Sequence, residues 1–274
     1  MRIQRLILLT AILAPARLVA AQDHGDAAAE LVALRRELRA MPELANRETR
    51  TMLRIAEYLR TIGADEVKTG VAKTGVVALI SGGAPGKTVA LRAPIDAMEL
   101  ELAGVKRTLH ACGHDAMTAM TLGAAAELAA HRSKLAGKVA VILQPAEEGA
   151  PAGEEAGAPL MVKEGVLTGV SAIVTLHGDD TIPCGEAGVH AGAVYAGADE
   201  FLVKVEGTPA HGAAPWKGVD AIAAAAQIIT ALQQIASRQT DINDPVVLTV
   251  GTIHGGSRSN NLAGEVLLTG TLRT

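Results

Sequence analysis

The sequence predicts an α/β protein with a largely parallel, buried sheet. Up to about Ala191, short apolar runs alternate with longer stretches of helical periodicity, which is typical of parallel strands covered by helices. Hydrophobic residues make up 49% of the 274 residues, enough for two domains with a sizeable core. Aromatic residues make up only 1%, so this core must consist mainly of Ala, Val, Leu and Ile.

The first elements are two helices, and three strands follow them. Ala27–Arg39 carries leucines on one face, and Glu48–Ile62 is a second helix that ends before Gly63. Each strand leads into polar residues: Val89–Arg92 into Asp96, Val139–Leu143 into Gln144-Pro-Ala-Glu-Glu148, and Ala172–Leu176 into His177. Because ligands bind at the carboxyl ends of the strands in open α/β sheets, we expect these polar groups to meet at one edge.

The pattern changes after about Ala191 and predicts a second, α+β domain. Its predicted elements are a strand at Glu200–Glu206, a helix at Val219–Ala236, and strands at Val246–Ile253 and Glu265–Leu272. Residues 22–190 would then form the first domain and residues 191–274 the second.

Residues 1–21 are typical of a secretory signal peptide. Arg2 and Arg5 precede an apolar stretch, Leu6–Ala14, and Val19-Ala-Ala21 offers small residues for cleavage. The apolar stretch is shorter than the roughly 20 residues that span a bilayer, so a cleaved signal is favoured over a membrane anchor, and export to the periplasm is expected. Without these residues 22 basic residues stand against 29 acidic ones, a net charge of −7, which argues against nucleic acid and anionic membranes as partners.

Three short segments carry metal-binding residue types. His110-Ala-Cys-Gly-His-Asp115 places Cys112 and His114 on either side of a glycine, where both can face one ion. Glu147 and Glu148 add carboxylates, and His177 adds an imidazole. Such a set suits zinc or a similar borderline metal, and a spare carboxylate can activate water.

Alternatives exist for each of these segments. Cys112 could form a disulfide with Cys184, the two glutamates could belong to a solvated acidic loop, and His177 could be a structural histidine. The combination of all three segments favours the metal site. Adjacent residues of an extended segment point to opposite sides, so one glutamate is expected to bind metal while the other faces substrate.

These motifs together resemble the metal-dependent amidohydrolase and aminoacylase/carboxypeptidase family that includes hippurate hydrolases and auxin-conjugate hydrolases. The resemblance runs from about Leu31 to Thr274. It implies a three-layer α/β/α catalytic domain with a mostly parallel mixed sheet, a ferredoxin-like lid or dimerisation domain that is incomplete here, and a homodimer. It also implies two divalent ions per subunit, with zinc the first choice and manganese, cobalt or nickel as alternatives.

The resemblance also implies a role for each site residue. The metal ligands would be Cys112, His114, Glu148 and His177, with Glu147 as the general base. His211 of the lid would stabilise the oxyanion in the partner's site, and Asn260, with Arg258, would hold the substrate carboxylate. Asp96 and Asp115 would support the ligands from behind, Asp115 by holding a ligand imidazole. From the residues alone, a loop histidine such as His211 is usually exposed, so its role rests on the resemblance, and Asn260 could equally be an ordinary turn residue.

The implied reaction is hydrolysis of the amide bond in N-acyl amino acids or small peptides by an activated water. A carboxypeptidase or dipeptidase with the same site, and a non-catalytic fragment that keeps the fold, are the alternatives. The sequence departs from the family at Pro94, Met41, Met117 and Ala263-Gly264. The family's last histidine ligand lies beyond the lid, so four of five expected ligands are present and the chain is expected to be incomplete.

Overall fold

The computed structural model describes residues 25–189, 191–192 and 194–274. The predicted signal peptide, residues 1–21, lies outside this range. The described chain forms two compact units, one up to Thr181 and one from Ile182 onward, and this division falls before the predicted domain boundary at about residue 191. Within the described residues, no helix has the length and apolar character needed to cross a membrane.

The first unit contains four α-helices and seven strands among its described residues. The helices are α1 (Gly25–Ala40), α2 (Thr49–Thr61), α3 (His114–Ala130) and α4 (Gly157–Lys163). The strands are β1 (Glu66–Val71), β2 (Gly75–Ser81), β3 (Ala84–Pro94), β4 (Met98–Leu102), β5 (Val105–Leu109), β6 (Ala136–Gln144) and β7 (Val170–Thr175). The two predicted N-terminal helices and the three predicted strands are confirmed.

A five-stranded mixed sheet organises this unit, in the order β1-β2-β6-β3-β7. β3 pairs in parallel with β6 and with β7, so the three predicted strands are neighbours and run the same way. The β1–β2 and β2–β6 pairs are antiparallel, because a hairpin that the sequence did not predict extends the sheet. The carboxyl ends of β6, β3 and β7 therefore meet at one edge.

Helices cover both faces of the sheet, which gives the three-layer α/β/α arrangement. Along β6, Val141 and Leu143 point into the larger core, whereas Ala140 and Ile142 point into a smaller core on the other face, as strand alternation requires. The larger core is closed by leucines and isoleucines of α1, α2 and α3, and the smaller one by Met161 of α4. This packing holds the edge where the three strands end.

The second unit is a three-stranded antiparallel sheet with one long helix. Its elements are β8 (Ala198–Glu206), α5 (Ala221–Gln234), β9 (Val247–Gly255) and β10 (Glu265–Arg273), with the strand order β8-β10-β9. The Asp220 carboxylate caps α5 by accepting hydrogen bonds from the backbone N–H groups of Ile222 and Ala223. The predicted order of strand, helix and two strands is confirmed.

Candidate metal centre

The carboxyl ends of the parallel strands deliver polar residues to one place, and α3 begins beside them. Asp96 follows β3, Glu147 and Glu148 follow β6, and His177 follows β7. His114 is the first residue of α3 and is 1% exposed. The residue before it, Gly113, adopts φ +82°, a left-handed conformation that favours glycine, so the chain can turn into α3 with His114 facing the strand ends.

Asp96 holds the His114 ring from behind. The ring Nδ1 lies 2.9 Å from the backbone carbonyl oxygen of Asp96 and 3.3 Å from its carboxylate Oδ1. The carbonyl oxygen accepts a hydrogen bond from Nδ1 and the carboxylate oxygen faces the same nitrogen, so in the neutral ring Nδ1 carries the hydrogen and Nε2 presents its lone pair. The second carboxylate oxygen, Oδ2, accepts a 2.9 Å hydrogen bond from the backbone N–H of Glu148. One buried carboxylate thus orients both the imidazole and the glutamate segment.

The free side of the His114 ring faces two carboxylates. Nε2 lies 3.5 Å from Glu147 Oε2 and 3.6 Å from Glu148 Oε1, and it is buried without a hydrogen-bond partner among the described residues. The ligand atoms of His114, Glu147 and Glu148 all lie within 4.8 Å of one another, the one such group of three in the described chain. A buried nitrogen lone pair facing two carboxylates fits a divalent cation.

The electrostatics of this group also favour positive charge. Burial works to lower the pKa of His114, but Asp96, followed by Glu147, outweighs it and leaves that pKa raised. Contact with Glu148, together with burial, raises the pKa of the Cys112 thiol from 9.0 to about 11. The carboxylates therefore oppose a thiolate at Cys112 unless a cation offsets their charge.

Cys112 and His177 lie at the margin of the group of three. Both cysteines are free thiols, and the Cys112 sulfur lies 3.9 Å from the thioether sulfur of Met98. The exposed His177 ring stands edge-on to the His114 ring, with 6.4 Å between the ring centroids. The structure thus brings the four sequence-predicted ligands to one edge, with His114 and Glu148 converging most closely, and Glu147, the predicted base, lies beside these two.

The expectation that Glu147 and Glu148 point to opposite sides is wrong. That expectation assumed an extended segment, but Ala146 adopts φ +47° and the chain leaves the strand direction at the end of β6. Both carboxylates consequently approach the same nitrogen of His114.

The supporting role predicted for Asp115 is also corrected. Asp96, and not Asp115, contacts the His114 imidazole. The Asp115 carboxylate accepts hydrogen bonds from Arg35 Nε at 3.1 Å and Arg39 Nη1 at 3.4 Å, both on α1. Successive side chains of a helix are rotated by about 100°, so Asp115 points away from the edge that His114 faces and joins α3 to α1.

The predicted lid residues lie together in the second unit. His211 and Asn261 form an isolated antiparallel bridge, and the backbone N–H of Gly212 donates a 2.7 Å hydrogen bond to the Asn260 carbonyl. His211, Arg258 and Asn260 are all exposed. The loops that carry the three residues are therefore held side by side.

Sequence reasoning missed two charged residues beside the site, the half-buried Arg92 and the buried Glu48. Arg92 donates to Gln144 Oε1 from Nε at 2.9 Å and from Nη2 at 2.6 Å, and burial lowers its pKa although Glu147 and Asp96 oppose this. Glu48 is 0% exposed and accepts a hydrogen bond from the backbone N–H of Ala146. Arg92 could have been found from its place at the end of a strand, whereas nothing in the sequence around Glu48 indicates its burial.

Comparisons with known proteins agree with this geometry. The family model for peptidase family M20/M25/M40 matches residues 90–269. The chain is 39% identical over 252 residues to an N-acetyl-L-cysteine deacetylase of Bacillus subtilis (strain 168), covering 89% of this chain and 59% of that protein. It is 37% identical over 252 residues to thermostable carboxypeptidase 1 of Saccharolobus solfataricus, covering 89% of this chain and 63% of that one.

Among solved structures, the chain is similar to a dinuclear metal-binding peptidase of the M20 family from Bacillus subtilis. The TM-score is 0.72 at 35% identity, and the match covers 90% of this chain and 64% of the other. The chain therefore spans about three fifths of the length of the proteins that it matches.

Proposed function

Because the chain belongs to peptidase family M20/M25/M40, we propose that the whole protein hydrolyses the amide bond of N-acyl amino acids or small peptides with the help of bound metal. The observation that carries this proposal is the buried Nε2 of His114, which faces the carboxylates of Glu147 and Glu148. The names of relatives, a deacetylase and a carboxypeptidase, support the same class of bond.

The metal would be held by His114 and Glu148, with Cys112 and His177 as further ligands at the margin. We propose two divalent ions per subunit, with zinc the first choice and manganese, cobalt or nickel as alternatives, since a solved relative is titled a dinuclear metal-binding peptidase. Bound divalent ions polarise a carbonyl and lower the pKa of water.

Glu147 would act as the general base. Its side chain is 36% exposed, whereas the Glu148 side chain is 20% exposed and the Glu148 backbone is tied to Asp96. Glu147 can therefore reach a water and a substrate from the open side of the group. In this role its carboxylate takes a proton from the attacking water and later donates it to the leaving nitrogen.

The second unit would supply substrate contacts and the dimer interface. We propose that His211 stabilises the oxyanion in the partner's site, and that Asn260 and Arg258 bind the substrate carboxylate. The side-by-side arrangement of the loops that carry them supports a shared task. An exposed guanidinium suits a carboxylate because it offers paired N–H donors.

A carboxypeptidase or dipeptidase with the same site is the second candidate, favoured by the similarity to a thermostable carboxypeptidase. The two candidates share the metal, the base and the water. They differ in the pocket for the group that carries the scissile carbonyl, which is a simple acyl group in an N-acyl amino acid and an aminoacyl group in a dipeptide. A panel of N-acyl amino acids and dipeptides separates them by the ratio of kcat/KM for the two classes. A non-catalytic fragment that keeps the fold is the third candidate, and the absence of turnover on the whole panel would favour it.

The test of the mechanism compares Glu147→Gln with Glu148→Gln in the whole protein. Glu147→Gln should keep its metal and lose about 10²–10⁴-fold in kcat, the usual effect of removing a general base. Glu148→Gln should lose metal as well as activity. The assignment fails if elemental analysis finds metal loss in Glu147→Gln, or if this variant keeps most of its turnover.

We also propose that the protein is exported to the periplasm, on the strength of residues 1–21. Cleavage after Ala21 would leave Gln22 at the N-terminus. N-terminal sequencing of the protein from a cell fractionation tests this, and Met1 on cytoplasmic protein would contradict it.

A further inference from the structure

Glu48 is a fully buried carboxylate that contacts the segment carrying the two glutamates. It is 0% exposed, and its Oε1 accepts a 2.8 Å hydrogen bond from the backbone N–H of Ala146. Its Oε2 accepts a hydrogen bond from the hydroxyl of Thr74, which is itself buried. A buried carboxylate is costly to desolvate, and here one of its two hydrogen bonds goes to the residue directly before Glu147.

Ala146 adopts a conformation that alanine rarely takes. Its φ of +47° lies in the left-handed region, where the Cβ atom crowds the backbone. Such a residue persists only where its surroundings hold it in place. Two contacts do so here: Glu48 accepts from the Ala146 N–H, and Gly157 donates a 3.2 Å hydrogen bond to the Ala146 carbonyl oxygen.

We propose that Glu48 is a positioning residue that fixes the carboxylate loop, Pro145–Glu148, in the conformation that turns both glutamates toward His114. Glu48 anchors the loop just before Glu147, and Asp96 anchors it just after, at the Glu148 N–H. Glu147 is thus confined between two backbone anchors. Without Glu48, Ala146 returns to an unstrained φ, and the carboxylates of Glu147 and of the proposed ligand Glu148 turn away from His114 Nε2.

The effect on metal binding rests on the proposed function, whereas the effect on the loop does not. Two readouts separate them. Hydrogen exchange of the carboxylate loop in metal-free protein reports the anchoring itself. Competition with a chelator for Zn²⁺ reports whether anchoring matters to the metal.

The variants are Glu48→Leu, Glu48→Gln and the matched control Glu43→Leu. Glu43 is a second well-buried carboxylate, with a side chain 11% exposed, that accepts hydrogen bonds from the backbone N–H groups of Thr51 at 2.8 Å and Arg50 at 3.2 Å. These groups belong to the start of α2 and not to the carboxylate loop. Glutamine at position 48 keeps an acceptor for Ala146 and gains a donor for the Thr74 hydroxyl.

Glu48→Leu should speed amide exchange in the carboxylate loop and weaken Zn²⁺ binding about tenfold or more, the usual effect of losing a residue that orients a ligand. Glu48→Gln should restore both values. Glu43→Leu should lower the thermal midpoint while both readouts stay at the wild-type values. If Glu48→Leu does not fold, Glu48→Asp replaces it, because its shorter side chain keeps the charge but does not reach the Ala146 N–H, and the same changes are expected.

Unchanged exchange in Glu48→Leu would overturn the proposal, and so would faster exchange with unchanged Zn²⁺ affinity, since Glu48 would then be merely structural. These measurements use the whole protein, and if its wild type binds no Zn²⁺, the proposed function fails instead. Loop exchange then decides alone whether Glu48 fixes the loop.

Discussion

Replacement of Asp96 by asparagine tests the central contact of the candidate metal centre. Asparagine has the same size, so the buried volume is preserved, but the negative charge is removed. The backbone carbonyl of residue 96 still accepts from His114 Nδ1, so the ring keeps its tautomer. The side chain, however, no longer has two acceptor oxygens for its two neighbours.

The expected magnitude follows from these contacts. The asparagine oxygen can keep the 2.9 Å hydrogen bond from the Glu148 N–H, which turns its NH₂ group toward the N–H of His114, 3.3 Å from the present carboxylate oxygen. The close contact between the His114 N–H and a carboxylate oxygen is thereby replaced by two opposed donors. A loss of about 10–100-fold in metal affinity is typical of such supporting residues, and it corresponds to about 1.4–2.7 kcal/mol.

The assay is competition for Zn²⁺ with a chelator of known affinity, with Asp115→Asn as the control. Asp115 is 1% exposed and directly follows His114, but its carboxylate pairs with Arg35 and Arg39. The control should unfold at a lower temperature and bind Zn²⁺ as the wild type does. Equal weakening of Zn²⁺ binding in Asp115→Asn and Asp96→Asn would contradict the role of Asp96, because the sequence-based role of Asp115 would then be right.

Two further predictions concern ionisation. In metal-free protein, Cys112 should react with iodoacetamide at pH 8 about ten- to a hundredfold more slowly than a thiol of ordinary pKa. Its pKa of about 11 lies two units above 9.0, and the smaller thiolate fraction outweighs the greater nucleophilicity of its thiolate. Glu148→Gln should speed this reaction; mass spectrometry of the labelled peptides measures the rate, and an unchanged rate would contradict the prediction. Arg47, followed by Lys73, lowers the pKa of Glu154 from 4.5 to about 2, so its contribution to stability is complete above pH 4.5 and lost as the pH falls toward 2. Urea midpoints of Glu154→Gln should therefore depend less on pH across this range than those of the wild type, and equal slopes would count against the ion pairs.

The residues of the site differ in how far the sequence could predict them. The apolar runs before Asp96, Glu147 and His177 predicted parallel neighbours, because strand alternation and buried composition are local signals. The turn at Ala146 could not be predicted in this way, since its φ is held by Glu48, 98 residues away in the chain. Helix geometry could have predicted the direction of the Asp115 side chain. The contact of Asp96 with His114, by contrast, depends on the tertiary structure.

The hairpin of β4 and β5 shows a second reason why part of the fold could not be predicted from the sequence. β4 and β5 are joined by Ala103 and Gly104, which adopt φ +52° and +77°. Two positive φ values are the requirement of a type I′ turn, for which Asn-Gly or Asp-Gly is the strong sequence signal. Alanine in the first position weakens that signal, so the hairpin could not be predicted from the pair alone.

The sequence distance between the anchored parts of the candidate metal centre has a consequence for how the protein folds. The hydrogen bonds of Asp96 reach 18 residues along the chain to His114 and 52 residues to Glu148, and that of Glu48 reaches 98 residues to Ala146. Contacts of such separation form late, because chain entropy must be lost before they contribute. During synthesis, Glu48 leaves the ribosome long before its partner at residue 146. The Glu48 side chain therefore stays in water until β6 has been synthesised and has paired with β3.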